Sequence, residues 1–116
     1  MNKLVNAAGL VVLSVVLAGA WFFSQVTQLR AQSAQAIFDA KCEMCHAKDG
    51  SGNTPMGKNM KVPDLRSKAV QSKTNADLYK AIDKGMGVMP AYGGQLSKQQ
   101  INQMVEYVRH LAGKKK

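Results

Sequence analysis

Both cysteines of the chain lie in one short motif, Cys42-Glu43-Met44-Cys45-His46. Two cysteines this close together cannot build the disulfide framework that many small domains use. The chain has 116 residues, and about 80 remain for a domain once an apolar first segment is set aside. A domain of that size buries only a thin core, so we expect a bound metal or large cofactor to stabilise it.

The spacing of this motif indicates which cofactor it binds. C-x-x-C-H is the attachment signature of c-type haem. Two thiols three positions apart at a helix end lie on one side, at about the spacing of the two vinyl groups on one porphyrin edge, and the next residue places an imidazole under the iron. The sequence therefore predicts one haem c, held covalently by Cys42 and Cys45, with His46 as an axial ligand of the iron.

Two other uses of a C-x-x-C pair are less consistent with the sequence. A thioredoxin-like dithiol needs a preceding strand and a βαβ frame, and the sequence predicts neither. A structural zinc site needs four ligands, whereas the remaining candidate, His110, falls on the polar face of a predicted helix. Haem is therefore the favoured interpretation.

The second axial ligand of an electron carrier is usually Met or His, and Met89 is the strongest candidate. It lies in the segment GMGVMPAYGG, residues 85–94, where a proline stiffens one point and glycines allow close approach elsewhere. The 43 positions from His46 to Met89 allow the chain to reach the opposite haem face. Met86 and Met60 remain alternatives, and a methionine that only packs on the porphyrin is the other interpretation of Met89.

Hydrophobic periodicity and capping signals predict an all-α fold with long loops. Capping boxes begin the second and third helices, and glycines end them. The stretch after the motif is dense in Gly, Pro and Asn, which predicts a long ordered loop without a regular element of any length. The predicted bounds are Ser33 to the cysteine pair for the first helix, Ala47–Pro63 for the loop, Thr74–Gly85 for the middle helix and Ser97–Gly113 for the closing helix.

The N-terminal segment is predicted to meet a membrane. Lys3 precedes an uncharged, apolar stretch of about 20 residues, 4–23. The triplet Ala18-Gly19-Ala20 is typical of signal-peptide cleavage, whereas the length and the aromatic Trp21-Phe22-Phe23 favour an uncleaved anchor. The predicted domain organisation is a signal peptide or membrane anchor with a polar spacer in residues 1–32, and a monohaem domain in residues 33–116.

Both interpretations place the haem domain outside the cytoplasm. Haem is attached to C-x-x-C-H motifs outside the cytoplasmic membrane in bacteria, so the targeting segment and the motif agree. We expect the domain on the periplasmic side of that membrane. It is anchored there if residues 4–23 are retained and is soluble if they are removed.

The positive charge of the chain narrows its possible partners. The net charge is +9, and residues 33–116 carry 14 basic and 7 acidic side chains. The lysines are scattered and are not interleaved with stacking aromatics, which argues against a nucleic-acid-binding protein. The positive charge is consistent with a role in solubility, or with an electrostatic field that steers the protein towards redox partners with acidic docking surfaces. No nucleophile, base or substrate cleft is evident, so we expect neither catalysis nor a small-molecule substrate.

Over residues 34–112 the sequence resembles the small bacterial class I c-type cytochromes. Several motifs occur in the family's order and spacing, and a Met-Pro pair downstream of C-x-x-C-H, before a helix capped by Leu-Ser, is typical of this class. The motifs are Ala34 and Phe38 before CEMCH, then Pro63-Asp64-Leu65, GMGVMPAYGGQLS and QINQMVEYVRHLA.

The resemblance implies a cytochrome c fold of three to four helices around one haem, preceded here by the N-terminal hydrophobic helix. The first and last helices would cross at Ala34. A loop carbonyl, of Pro63 or Pro55, would accept a hydrogen bond from the proximal imidazole. Tyr92 and Arg66 are candidate contacts of the haem propionates. Phe38 would pack on Met104, Tyr107 and Leu111, and the porphyrin walls would be Leu65, Leu78, Ile82, Val105 and Val108.

The function implied is the transfer of single electrons between redox partners in a respiratory or photosynthetic-type chain. An iron with both axial positions filled by His and Met leaves no place for a substrate, which favours an electron carrier over an enzyme. Two alternatives remain. The protein is a haem enzyme or gas sensor if Met89 dissociates readily, or it is the cytochrome subunit of a larger oxidoreductase.

Overall fold

A computed structural model describes residues 34–113, which belong to one unit of the chain, Ser33–Lys116. The predictions for residues 1–32 and for the start of the first helix at Ser33 lie outside the described residues. Among residues 34–113 there is no helix with the length and apolar character to cross a membrane.

The described part of the chain is helical and contains no strand, which confirms the predicted all-α class. Its one β-type pairing is an isolated bridge between Met86 and Met89. We number the helices in chain order. They are α1 over residues 34–41, α2 Glu43–His46, α3 Pro55–Asn59, α4 Lys68–Gln71, α5 Asn75–Lys84 and α6 Lys98–Ala112.

The two longest helices within the described region begin where the capping boxes predict. Thr74 accepts a hydrogen bond from the Asp77 amide at 3.1 Å, and the Asp77 carboxylate accepts one from the Thr74 amide at 3.1 Å. Ser97 and Gln100 form the same reciprocal pair at the start of α6. Each box satisfies two amides that have no partner within the helix. The predicted middle and closing helices are confirmed.

The prediction that the loop after the motif holds no regular element is wrong at one point, because α3 lies within it. Thr54 caps α3 by accepting a hydrogen bond from the Gly57 amide at 2.8 Å. Pro55 takes the first helical position, where a missing amide hydrogen costs nothing. The short helix α4 was also not predicted, and the Ser67 side chain caps it.

The main core forms between α1 and α6. Phe38 is 2 % exposed, and its ring centroid lies 4.9 Å from that of Tyr107. This confirms the predicted contact of Phe38 with α6. A second cluster joins α4, α5 and α6 through Val70, Leu78, Val105 and Val108. The main cluster contains Ala34, Phe38, Leu96, Ile101, Met104, Tyr107 and Leu111.

Glycines allow the loop after α2 to fold back closely on the core. The Gly52 amide donates to the His46 carbonyl at 2.7 Å, and the Leu65 amide donates to the Gly50 carbonyl at 2.8 Å. Gly50 is buried with φ of +77°, and a Cβ there would lie 2.8 Å from Leu111 Cδ1. The loop is thereby held between the motif and α6, with Leu65 beside the site described next.

Candidate functional site

The predicted site residues lie around one cavity of about 330 Å³. Cys42, Cys45, His46, Pro63 and Met89 all line it. An adjoining cavity of about 80 Å³ shares several of the same residues. The structure therefore brings together side chains from α2, the loop after it and the segment after α5. The remaining residues that line the larger cavity are mostly apolar and include Met60, Val62, Leu65, Val70, Leu78, Ala81, Met86, Val88, Pro90 and Tyr92.

The cysteine motif is built at the junction between α1 and α2. The Cys42 amide donates to the Phe38 carbonyl at 2.8 Å and continues the hydrogen bonds of α1. The His46 amide donates to the Cys42 carbonyl at 2.9 Å, which forms the single turn of α2. Residues three apart on such a turn lie on one side. Both sulfurs and the following imidazole therefore line the same cavity.

Helix α3 fixes this turn from outside. The Thr54 hydroxyl donates to the Met44 carbonyl at 2.8 Å while it accepts from the Gly57 amide. Gly57 is buried, and a Cβ at this position would collide with the backbone carbonyls of Cys45 and Gly52. The close packing of α3 on α2 therefore requires glycine at position 57.

Burial favours the uncharged forms of the Cys42 thiol and the His46 imidazole. It raises the pKa of the Cys42 thiol to about 11, an effect that Lys41 partly offsets. It also lowers the pKa of His46 from its ordinary value. A neutral imidazole has a free nitrogen lone pair with which to ligate a metal. Burial therefore favours the protonation state of His46 that coordination requires.

One buried nitrogen of the His46 imidazole is unsatisfied in its hydrogen bonding among the described residues. Nδ1 is buried and has no hydrogen-bond partner among the described residues. Such a group normally finds an acceptor, and a ligating histidine usually donates its second N–H to a carbonyl. Pro63 lines the same cavity, whereas Pro55 does not. The carbonyl of Pro63 as the acceptor stays a prediction.

Met89 is presented by a tight turn. The Met86 amide donates to the Met89 carbonyl at 3.1 Å, and the Met89 amide donates back at 3.0 Å. Residues paired in this way point to the same face, and both methionines line the larger cavity. Met89 is half-buried and also lines the smaller cavity, whereas Met86 is 59 % exposed. Met60 lines the larger cavity and is 40 % exposed.

The residues that were expected to form the porphyrin walls line the two cavities, with one exception. Leu65 and Leu78 line both cavities, and Ile82 and Val108 line the smaller one. Val105 lines neither cavity, although the other three members of its cluster each line at least one. Its assignment to the haem wall was therefore wrong. Val70 was not predicted as a wall residue because α4 was not predicted. Ser67, a residue type that often caps helices, could have indicated that helix.

The two candidate propionate contacts have different surroundings. Arg66 lines neither cavity, and its guanidinium donates to Asp64 at 3.0 Å and to Asp49 at 3.2 Å. Tyr92 lines both cavities, and its hydroxyl donates to the Lys41 carbonyl at 3.0 Å. Tyr92 is therefore adjacent to the candidate haem space, and Arg66 is not.

The donor set of this cavity fits a haem c. Two thiols one turn apart, an adjacent imidazole and a thioether from a distant loop are the groups that attach and ligate such a cofactor. Nδ1 of His46, which has no partner among the described residues, is also the atom through which a histidine that ligates with Nε2 donates to a supporting carbonyl. Mostly apolar walls suit the face of a porphyrin.

Comparisons with known proteins agree with this geometry. The family model described as "Cytochrome C oxidase, cbb3-type, subunit III" matches residues 29–108. Cytochrome c6 of Microcystis aeruginosa is 38 % identical over 77 residues, which cover 63 % of this chain and 86 % of that protein. The cbb3-type cytochrome c oxidase subunit FixP of Bradyrhizobium diazoefficiens is 37 % identical over 87 residues, or 73 % of this chain.

The chain spans 29 % of the length of that FixP relative. Among solved structures, a KustC0563 c-type cytochrome superposes with a TM-score of 0.62 at 19 % identity, and the match covers 67 % of this chain and 95 % of the other. This likeness confirms the cytochrome c fold. With the family match and the relatives above, it shows that the chain belongs to the class I c-type cytochromes, in which haem c is bound covalently.

Proposed function

We propose that Cys42 and Cys45 form the thioether bonds to the haem and that His46 and Met89 are the two axial ligands of its iron. One observation carries this proposal: residues 43 positions apart in the sequence, His46 and Met89, line one cavity together with both cysteines. Met89 is favoured over Met86 because it is more buried and lines both cavities.

The ligand set determines how the protein would work. When bound, haem c supplies an iron that accepts and releases one electron. With His46 on one side and Met89 on the other, no coordination position is left for a substrate. The apolar walls exclude water, and a thioether ligand favours the reduced state more than a second imidazole does. We therefore propose transfer of single electrons between redox partners in a respiratory or photosynthetic-type chain, without catalysis.

The rim of the cavity supports a docking role. Met60, Met86 and Val88 line the cavity and are 40 %, 59 % and 63 % exposed. Lys41, Lys61 and Lys73 also line it, whereas no Asp or Glu of the described residues does. A small apolar surface with a positive border suits a brief, salt-sensitive encounter with an acidic redox partner.

The location of the protein is part of the proposal. We propose that the haem domain, residues 33–116, works on the periplasmic side of the bacterial cytoplasmic membrane. Residues 1–32 would deliver it there and would hold it to the membrane if residues 4–23 are retained. The support is the apolar N-terminal stretch together with a motif that receives haem outside the cytoplasm. The intact mass of the mature chain distinguishes a retained anchor from a removed signal peptide.

The absorbance spectrum of the oxidised protein tests the ligand assignment. A weak charge-transfer band reports a bond between methionine sulfur and ferric iron. We expect this band in the wild type and in Met86→Ala, and we expect its loss in Met89→Ala. Loss in Met86→Ala with retention in Met89→Ala would assign the bond to Met86. A wild type without the band would instead favour an open iron, as in a haem enzyme or gas sensor.

A relay subunit of a larger oxidoreductase is a second candidate function. It is favoured by the match to the model of a cbb3-type oxidase subunit over residues 29–108. The site chemistry would be the same, and only the partnership would differ. Purification from membranes in mild detergent tests it. Co-elution with other subunits of an oxidase supports the relay, and elution as a single small cytochrome supports the independent carrier.

A further inference from the structure

The segment that carries Met89 is hydrogen-bonded at two points to Lys41, another residue that lines the cavity. We call residues 85–96 the Met89 loop. The Tyr92 hydroxyl donates to the Lys41 carbonyl at 3.0 Å, and Lys41 Nζ donates to Gln95 Oε1 at 3.1 Å. These contacts join positions that are 51 and 54 apart in the sequence. Lys41 directly precedes Cys42, so the contacts connect the Met89 loop to the start of the cysteine motif.

The break between α1 and α2 makes the Lys41 carbonyl available. In a continuous helix the Cys45 amide would donate to this carbonyl, four residues earlier. Here the Cys45 amide donates to the Cys42 carbonyl at 3.2 Å. Tyr92 supplies a donor in its place, and burial raises the pKa of its hydroxyl, which favours the protonated form that donates.

The base of the Met89 loop is held independently of these contacts. The Tyr92 amide donates to the Ile82 carbonyl at 2.9 Å, and the Gly93 amide donates to the Asp83 carbonyl at 3.0 Å. Leu96 is buried in the main core, and its amide donates to the Tyr92 carbonyl at 2.9 Å. Removal of the two contacts with Lys41 therefore leaves the loop attached to α5 and to the core. What it removes is the hydrogen bonding between the loop and Lys41.

We propose that Tyr92 and Gln95 are positioning residues that clasp the Met89 loop to Lys41 and so hold Met89 at the iron opposite His46. The clasp rests on the proposed assignment of Met89 as a ligand. His46 is fixed relative to Lys41 through α2, and the clasp fixes the Met89 loop relative to the same residue. The hydrogen bonds to Lys41 thereby constrain the distance between His46 and Met89, in addition to the packing of the Met89 loop on the core. Loss of the clasp lets Met89 leave the iron more readily.

Competition with added imidazole measures this effect on the ferric holoprotein. Imidazole binds the iron only when Met89 dissociates, so its apparent affinity reports how firmly Met89 is held. We expect Tyr92→Phe and Gln95→Ala each to bind imidazole about threefold to tenfold more tightly than the wild type, the range for one lost hydrogen bond. Gln95→Glu keeps an acceptor for Lys41 Nζ, and we expect it to bind imidazole like the wild type.

Two controls separate positioning from general stability. Tyr79→Phe removes a hydroxyl from another half-buried tyrosine that packs on the same core. Thr74→Ala destabilises α5 at the end remote from the Met89 loop by removing its cap. We expect neither control to change the affinity for imidazole, although Thr74→Ala lowers the melting temperature.

The outcomes distinguish the clasp from the ligand assignment. The clasp is overturned if Tyr92→Phe and Gln95→Ala bind imidazole like the two controls while Met89→Ala still loses the methionine band; the ligand assignment then stands. If the wild type lacks that band, or Met89→Ala keeps it, the ligand assignment fails and the clasp fails with it. Tighter imidazole binding in both clasp variants, with unchanged controls, supports the proposal.

Discussion

The Arg109 guanidinium donates to the Lys73 carbonyl at 2.6 Å and holds the connection between α4 and α5 against α6. The same side chain donates to the Gln71 carbonyl at 2.8 Å and to Asn75 Oδ1 at 2.9 Å. With Gln71 Oε1 at 3.3 Å, four acceptor atoms from three residues thus converge on one planar guanidinium fork. Because α4 and α5 carry Val70 and Leu78, this fork stabilises one wall of the haem cavity from outside.

Arg109→Lys is expected to lower the free energy of unfolding by about 1–3 kcal/mol, because an ammonium group cannot reach acceptors on all three residues. Urea unfolding of the holoprotein measures the change. The neighbouring His110 is exposed, and His110→Gln should stay within about 0.5 kcal/mol of the wild type. Equal losses in the two variants would contradict the structural role of the fork.

Gly85 is required by the turn that presents Met89. Its φ is +76°, and a Cβ there would lie 2.5 Å from the Met89 carbonyl oxygen. Gly85→Ala should therefore destabilise the holoprotein by about 1–3 kcal/mol, through backbone strain and the collision. Gly94→Ala is the matched control, because a Cβ at Gly94 would meet no atom within 4 Å and the backbone there has no positive φ. Unfolding of both variants in urea tests the difference, and a neutral Gly85→Ala would refute the requirement.

The cap of α5 should lose its contribution to the stability of the fold in acid. Hydrogen bonds from Thr74 lower the pKa of Asp77 below its ordinary value of 3.8, with smaller effects from Lys73 and Lys80. A carboxylate with a lowered pKa stabilises the fold fully above the unfolded value, and this contribution disappears as the pH falls through the folded value. The difference in free energy of unfolding between the wild type and Asp77→Asn should therefore be present at neutral pH and disappear in strong acid. A difference independent of pH in urea unfolding would contradict this origin.

Positive charge on the cavity rim should accelerate electron transfer with anions. We expect Lys61→Glu and Lys73→Glu to slow reduction of hexacyanoferrate(III) several-fold at low ionic strength, because each reverses a charge beside the cavity. Lys98→Glu makes the same change in net charge at a residue that does not line the cavity. Stopped-flow rates at low and high salt provide the measurement. An equal effect of all three variants would show that only total charge matters.

Local signals in the sequence were sufficient for the long helices. The boxes at Thr74 and Ser97 each combine a side-chain acceptor with a reciprocal partner three residues later, and neither depends on distant contacts. The short helix α3 was missed because the surrounding glycines and prolines are also typical turn formers. Its cap at Thr54 depends in part on the carbonyl of Met44, which only the folded chain brings near.

The motif and the Met-Pro segment predicted the residues of the site, but not the contacts that hold them. Ala47 and Lys61 adopt positive φ of 62° and 55°, a conformation that residue type alone does not predict for them. The contacts between Lys41, Tyr92 and Gln95 join exposed or half-buried polar groups far apart in the sequence. Such pairings follow from the tertiary arrangement and leave no periodic pattern.

The central claim is that one haem is bonded covalently to Cys42 and Cys45. The most direct test is the intact mass of the purified protein under denaturing conditions, followed by mapping of the peptide that contains both cysteines. We predict the mass of the polypeptide plus one haem, with the added mass on the peptide that spans residues 42–46. Recovery of the unmodified polypeptide, with the pigment extracted by acidified organic solvent, would contradict the account.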